Sequence, residues 1–436
     1  VRELGLSTRQ RREFEPIYKA YREALDKAVD ARAGASGADE ATQKNSLKAK
    51  LSNIAATAQV KRDYVDKFAA VLTAEQIRRL YNTEGEIGTN IKRAAFDRSS
   101  RTRSGRLKGS GRMVTQDWGK AGDYTGISAA AFFDITVSPA AKTISVTADD
   151  NVIDYLVLER DGGKLKFRVN ANSTENISVS VTVPASASLR EISAGSYGKV
   201  NCKMPLKGPS VSVSVSSYGS VSADIDTPGA AKLDVSSYGK FAGSVRCSDG
   251  ELRISSYGSA QAPVECRNSC KLTVGSYAKF SNDIKASDLT VEVSSGASVG
   301  STLTADALTM RIDSYAKFSG TVTVNARQAK LTVSSGGSFN GTFSGSSLEA
   351  SVGSYGKIYL KGAAQVADAT VRVSSGANFS APELRVSDYD LTVSNYAKAD
   401  VWCSGRLKIN ASTDAKVTYG GPCTVETVSD NIQRRK

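Results

Sequence analysis

Residues 233–241 read LDVSSYGKF, and the chain keeps returning to this stretch. LRISSYGSA follows at 252–260, LTVGSYAKF at 272–280, MRIDSYAKF at 310–318 and LTVSNYAKA at 391–399. With the tyrosine as anchor, the copies fall at Tyr197, Tyr218, Tyr238, Tyr257, Tyr277, Gly296, Tyr315, Gly336, Tyr355, Gly376 and Tyr396, spaced 19 to 21 residues apart. A degenerate twelfth copy, INASTDAKV, ends at Val417. A fixed period of this length marks a stack with one structural unit per repeat. Within the unit, apolar residues recur at every second position, as in a strand. That pattern puts Leu233, Val235, Ser237, Gly239 and Phe241 on the inward face and Asp234, Ser236, Tyr238 and Lys240 on the outward one. The residue after the anchor is always Gly or Ala, which predicts a bend too tight for a large side chain.

One clear strand and a less regular return in each copy predict a single-stranded, right-handed parallel β-helix (β-solenoid) of about twelve 20-residue coils over residues 191–436. Coils stacked about 4.8 Å apart give a rod of roughly 58 Å and set like residues over like. The outward residue two places after the anchor runs Lys199, Ser220, Lys240, Ser259, Lys279, Ser298, Lys317, Ser338, Lys357, Asn378, Lys398. Lysine thus alternates with a small polar residue. Ammonium groups one coil apart repel, whereas two coils, about 9.6 Å, approach the Debye length. From Gly296 onward the anchor alternates as well, so the later repeat is a two-coil unit. A membrane β-barrel of 20-residue hairpins needs a lipid-facing apolar band, and the outward Ser, Thr, Asp, Tyr and Lys residues supply none.

The front of the chain obeys a different period. Leu6-Ser7-Thr8-Arg9-Gln10 and Leu72-Thr73-Ala74-Glu75-Gln76 are two helix starts of one kind. Ser7 or Thr73 caps the first turn, and Gln10 or Gln76 reaches back to the cap. Pro16 predicts a kink or a restart. Ile17, Tyr18, Tyr21 and Leu25, then Leu47, Leu51, Ile54 and Ala58, then Tyr64, Phe68 and Val71 keep helical spacing, broken by the loop ARAGASGADE. Residues 1–97 are therefore a small helical module. The paired L-[ST]-x-x-Q starts resemble the Spy/CpxP group of periplasmic stress proteins. That resemblance implies a helical cradle for unfolded protein clients, or a sensor of envelope stress. Residues 98–110, rich in Ser, Gly and Arg with no apolar period, read as a basic linker.

Residues 111–190 read as a strand-rich lead-in to the solenoid, with Asp161-Gly162-Gly163 a hairpin turn. The run Pro184, Leu189, Ile192, Ala194-Gly195-Ser196-Tyr197 that follows resembles the head GIN domain of auto-transporter adhesins, over about residues 111–420. The resemblance implies a β-helical protein of the bacterial envelope and carries over no catalytic residues.

Composition narrows the chemistry. The 436 residues include 57 Lys+Arg, 44 Asp+Glu, six Cys and no His. Lacking His, the chain has no triad base and lacks the commonest metal ligand, and no cofactor motif occurs. Residues 1–110 hold 23 Lys/Arg against 14 Asp/Glu, but no aromatic interleaves the basic run Arg98–Lys108, which argues against nucleic acid. No apolar run is long enough for a membrane helix, and Val1-Arg2-Glu3 is not a secretion signal, so any targeting segment lies outside this chain. Cys247 and Cys266 each follow their anchor by nine residues, and Cys403 and Cys423 are 20 apart, so both pairs are candidate disulfides, with buried free thiols the alternative. Oxidation would suit export to the periplasm, the outer membrane or the cell surface.

The candidate ligand stripe is Tyr238, Lys240, Tyr277, Lys279, Tyr315, Lys317, Tyr355, Lys357, Tyr396 and Lys398, with rings to stack on sugars and ammonium groups to hold acidic ones. Packing alone also selects such a ladder. The resulting expectation is a non-enzymatic envelope adhesin or scaffold that binds polysaccharide or an envelope protein. The alternatives are a periplasmic chaperone or sensor with the solenoid as spacer, and a lyase of acidic polysaccharides. A catalytic group would break the repeat at one place, and none does.

Overall fold

The structure, a computed structural model, describes residues 8–28, 40–74, 76–77, 80–81, 106–171, 173–325, 328–362, 365–427 and 431–435. The chain divides into two units, Val1–Ser104 and Gly105–Lys436.

In the first unit, helix α1 (Thr8–Lys27) and helix α2 (Glu40–Ala69) pack around Phe14, Tyr21, Phe68, Leu72 and Leu80, with Ile17, Tyr18, Leu25, Tyr64 and Val71 against them. Pro16 neither ends nor restarts α1, which runs through it. The second helix start closes reciprocally: the Thr73 N–H donates to Gln76 Oε1 at 3.0 Å and the Gln76 N–H to Thr73 Oγ1 at 3.3 Å. Gln10 Nε2 donates to the Val71 carbonyl at 3.1 Å and to Gln76 Oε1 at 3.2 Å, so the glutamines of the two motifs touch. Ser7, most of the loop at 31–40, residues 98–105 and the side chains of Leu47, Leu51 and Ile54 lie outside the described residues.

The second unit is a β-solenoid of about twelve turns. Each early coil has three short strands. Ser210–Val215, Ser220–Ser222 and Ile225–Asp226 pair in parallel with Ala230–Val235, Lys240–Ala242 and Val245–Cys247 of the next coil. Later these strands fuse, and Ser298–Ile312 and Asn378–Val393 each run through the second and third strands of one coil into the first of the following coil. Inward residues stack on their own equivalents: Val213, Leu233, Leu252 and Leu272 are consecutive partners, and the Phe318 and Phe339 rings stack at 5.0 Å. The dry core is therefore a column in which each residue is buried chiefly by the coils above and below it.

The lead-in builds the first coil and covers its edge. Gly126–Ala129 and Phe133–Ser138 pair in parallel with Glu191–Ala194 and Lys199–Cys202 of the first recognised repeat. Leu156–Asp161 and Lys164–Val169 form the expected hairpin around Gly162 and Gly163, both at positive φ. Met113–Asp117, Ser145–Asp149 and Val179–Pro184 join antiparallel, so the leading edge ends in mixed pairing. Antiparallel pairing of this kind blunts a sheet edge that would otherwise template another chain. Leu107–Lys108, at the end of the expected linker, pairs with Thr174–Glu175 and belongs to this unit.

A candidate ligand stripe along the turn edge

The strand does not run through the anchor. It stops at Val235 and resumes at Lys240, and Ser236–Gly239 form a tight turn closed by the Gly239 N–H on the Ser236 carbonyl at 2.7 Å. Both central residues have positive φ, 47° at Ser237 and 63° at Tyr238. Two successive positive φ values are what a type I′ turn carries at its centre, and here they turn a corner between strands that pair with the coils on either side rather than with each other. Ser237 therefore points outward, contrary to the two-residue alternation; the turn shifts the phase, and only Gly239 faces the core.

Left-handed φ is costly for Ser and Tyr, and a bond along the rod offsets the cost. The Tyr238 N–H donates to the Ser256 carbonyl of the next coil at 3.1 Å, and Tyr197, Tyr218, Tyr257 and Tyr277 do likewise at 3.0 Å. The turns thus carry the ladder across the corner. The glycine coils keep the same turn: Ser295 and Gly296 have φ 51° and 71°, and the Gly296 N–H donates to the Ser314 carbonyl at 2.9 Å.

On this edge the rings of Tyr197, Tyr218, Tyr238, Tyr257 and Tyr277 form one stack, with successive centroids 4.8–5.3 Å apart and planes within 12°. Phe132 is its first member, 5.4 Å from Tyr197 and within 9° of parallel. The period conceals Phe132, because the lead-in hairpin and its flanking strands separate it from Tyr197. The signal was present in ISAAAFFDITV, which aligns with ISAGSYGKVNC once that insertion is removed. Beside the stack, Ser196, Ser217, Ser237 and Ser256 line an open groove of about 470 Å³ with the first four tyrosines.

Stacking uses up the ring faces, so Tyr238 and its neighbours offer edges and hydroxyls, at 45–60% exposure from Tyr197 to Tyr277. The anchors Tyr315, Tyr355 and Tyr396 stand apart at 73–76% exposure. A Cβ added at Gly296, Gly336 or Gly376 would lie 2.7–2.8 Å from Cε1 of Tyr277, Tyr315 or Tyr355, so each of these rings leans over the glycine of the next coil.

The lysine row lies alongside. Lys240 registers with Ser220 and Ser259, Lys279 with Ser259 and Ser298, Lys317 with Ser298 and Ser338, and Lys357 with Ser338 and Asn378, which also registers with Lys398. These lysines are exposed. From Lys240 to Lys357 the outward positions two and four places after the anchor carry no carboxylate, whereas at the two ends Asp134 registers with Lys199 and Asp400 follows Lys398 by two residues.

The cysteines do not form the expected bonds: all six are free thiols. Cys247 and Cys266 are in register with their Sγ atoms 3.4 Å apart, because opposed residues of a parallel pair point the same way and run side by side. Their neighbourhood also includes Cys270, which registers with Gly250. Cys403 registers with Val386 and donates its Sγ–H to the Ser387 carbonyl at 3.0 Å; burial pushes its thiol up to about 11. Among the described residues no group of three or more His, Cys, Asp or Glu is placed to hold a metal. No helix of the described residues is long and apolar enough to cross a membrane.

Before the first coil, Ser186 and Ser188 donate to the Asp123 carboxylate at 2.6 and 3.0 Å, and the Ser186 bond leads in holding it below the usual carboxylate range. The buried Tyr124 donates its hydroxyl to the Pro184 carbonyl at 2.6 Å. This network fixes the Pro184–Tyr197 run against the first coil. The family model described as "Putative auto-transporter adhesin, head GIN domain" matches from here, over residues 123–299 and 309–422. The chain belongs to this family. Solved structures similar to this head GIN domain include a "putative adhesin" from Parabacteroides merdae, 13% identical with TM-score 0.20, covering 76% of this chain and 99% of its own. A "putative lipid binding protein" from Parabacteroides distasonis is 16% identical with TM-score 0.19, covering 76% and 100%. A "putative adhesin" from Bacteroides fragilis is 14% identical with TM-score 0.24, covering 66% and 99%. No curated protein matches the sequence.

Proposed function

We propose that this chain is an exported, non-enzymatic adhesin or scaffold of the cell envelope, and that its first five tyrosine coils hold an anionic polysaccharide. The observation that carries this reading is the open groove along Ser196–Tyr257, lined by serines and tyrosines and flanked by the alternating lysine row. Hydroxyls suit sugar hydroxyls, and ammonium groups two coils apart suit acidic groups recurring along a polymer. Many weak contacts in register add by effective concentration. The same repetition argues against catalysis, which needs one singular constellation.

The test is co-sedimentation of the full chain with polygalacturonate, and with cellulose as the neutral control. Retention on the uronate at low salt, its loss at high salt and its weakening in Lys240→Ser/Lys279→Ser are expected. Equal retention by that variant and the parent overturns the proposal.

A second reading concerns the helical unit, as a cradle for unfolded clients of the Spy/CpxP kind. The contact between Gln10 and Gln76, which links the two L-[ST]-x-x-Q motifs, favours it. Suppression of client aggregation by the full chain, lost in a chain beginning at Gly105, is the expected result.

A further inference from the structure

The later coils raise a separate question, because backbone geometry does not explain their glycines. Tyrosine occupies the same turn at φ 61–68° in eight coils, so the conformation at Gly296, Gly336 and Gly376 does not require glycine. What glycine does is remove a ring. Each glycine coil carries no ring of its own: the preceding tyrosine leans across its base, and the tyrosines on either side stand two coil spacings, about 9.6 Å, apart. A flat ring set midway would lie about 4.8 Å from each neighbour, within the 4.8–5.3 Å that the unbroken tyrosine stack adopts. The gap between successive leaning rings, an open rung, therefore has room for one more ring lying parallel to them.

We propose that the occupant is tyrosine from a second copy of this chain, and that two solenoids zip together antiparallel through their later coils. Tyr355 of each copy would enter the rung at Gly336 of the other, Tyr315 the rung at Gly376, and Tyr396 the rung at Gly296. This antiparallel register fills all three rungs of both copies and sets no tyrosine against a tyrosine. Shifting it by two coils toward the leading end brings Tyr396 against Tyr257. The lean of the rings selects the antiparallel sense as well. A two-fold axis across the rods carries an outward lean toward the next coil onto a parallel line, so the interleaved rings stay face to face. Parallel rods would cross them.

The same parity brings each lysine of the later row opposite Ser298, Ser338 or Asn378 of the partner rather than opposite a lysine. Six aromatic rings at about 150–250 Å² each bury on the order of 900–1,500 Å², which spans the roughly 1,000 Å² that a specific interface needs. This partner is independent of the polysaccharide, which uses the other half of the rod.

Sedimentation equilibrium of the full chain over a concentration series, at low and at high salt, tests the zipper. A monomer–dimer equilibrium is expected, tightened by salt because screening relaxes the facing lysine rows. Gly336→Tyr fills the central rung, and Tyr355→Ser removes the ring that enters it. Each should weaken dimerisation at least about tenfold while leaving the circular dichroism spectrum unchanged. Uronate retention, measured on the same samples, should be unaffected by both. A chain that stays monomeric throughout, or a dimer equally tight in both variants, overturns the proposal. Loss of uronate binding in Lys240→Ser/Lys279→Ser with dimerisation intact bears on the polysaccharide alone.

Discussion

The coils from Tyr197 to Tyr277 and those from Gly296 to Tyr396 share one backbone turn and carry different side-chain programmes. In the first set every corner bears a ring, the faces are shared between neighbours, and the edge presents a groove of hydroxyls. In the second set every other ring is missing, and the remaining ones stand out in solvent. The inward columns show no such break: Leu272, Val291, Met310 and Leu331 follow one another through the boundary in register. The core thus specifies the rod, while the corner is left open to vary.

The largest expected effect probes that separation. Phe241→Ala and Phe339→Ala truncate buried rings in the two halves, and each should cost about 3–5 kcal/mol in urea unfolding. A large difference between the two would mean that the halves differ inside as well as outside. Next, Tyr238→Ala removes a ring stacked on two neighbours and should cost about 1–2 kcal/mol, whereas Tyr315→Ala should cost under about 0.5 kcal/mol in the same experiment. Equal costs would erase the distinction between a shared stack and separate rings. The smallest effect concerns thiols and needs no mutation. Iodoacetamide at pH 8 should modify half-buried Cys423 before the others, because burial keeps Cys403 and Cys202 protonated and out of reach. Alkylation followed by mass spectrometry gives the order.

Much of this was legible in the sequence. The period, the parallel stacking and the Lys/Ser alternation all follow from residues that recur at one offset, since in a solenoid each residue meets its own equivalents. Local geometry was less legible. Alternation puts Ser237 inside because it assumes an unbroken strand, and a pattern of side-chain polarity does not report φ. Phe132 escaped because the lead-in strands interrupt the period, although its contacts are those of any anchor. The cysteine spacing correctly brought Cys247 beside Cys266 but left out direction, which bonding requires as much as distance. Pro16 sits within α1, so of the two expectations the restart does not occur. The open rungs were visible as a string of Tyr and Gly, but their meaning depends on ring spacing, which only the folded chain supplies.

The bond from each corner amide to the carbonyl of the coil above makes every layer a self-contained module with identical upper and lower joints. Segments duplicated or deleted by recombination can therefore be spliced without reshaping what lies on either side. In the region of continuous rings a single layer is a permissible increment, whereas beyond Tyr277 only even numbers preserve the alternation. Length variation among relatives should carry that arithmetic, in steps of about 20 residues in one stretch and about 40 in the other.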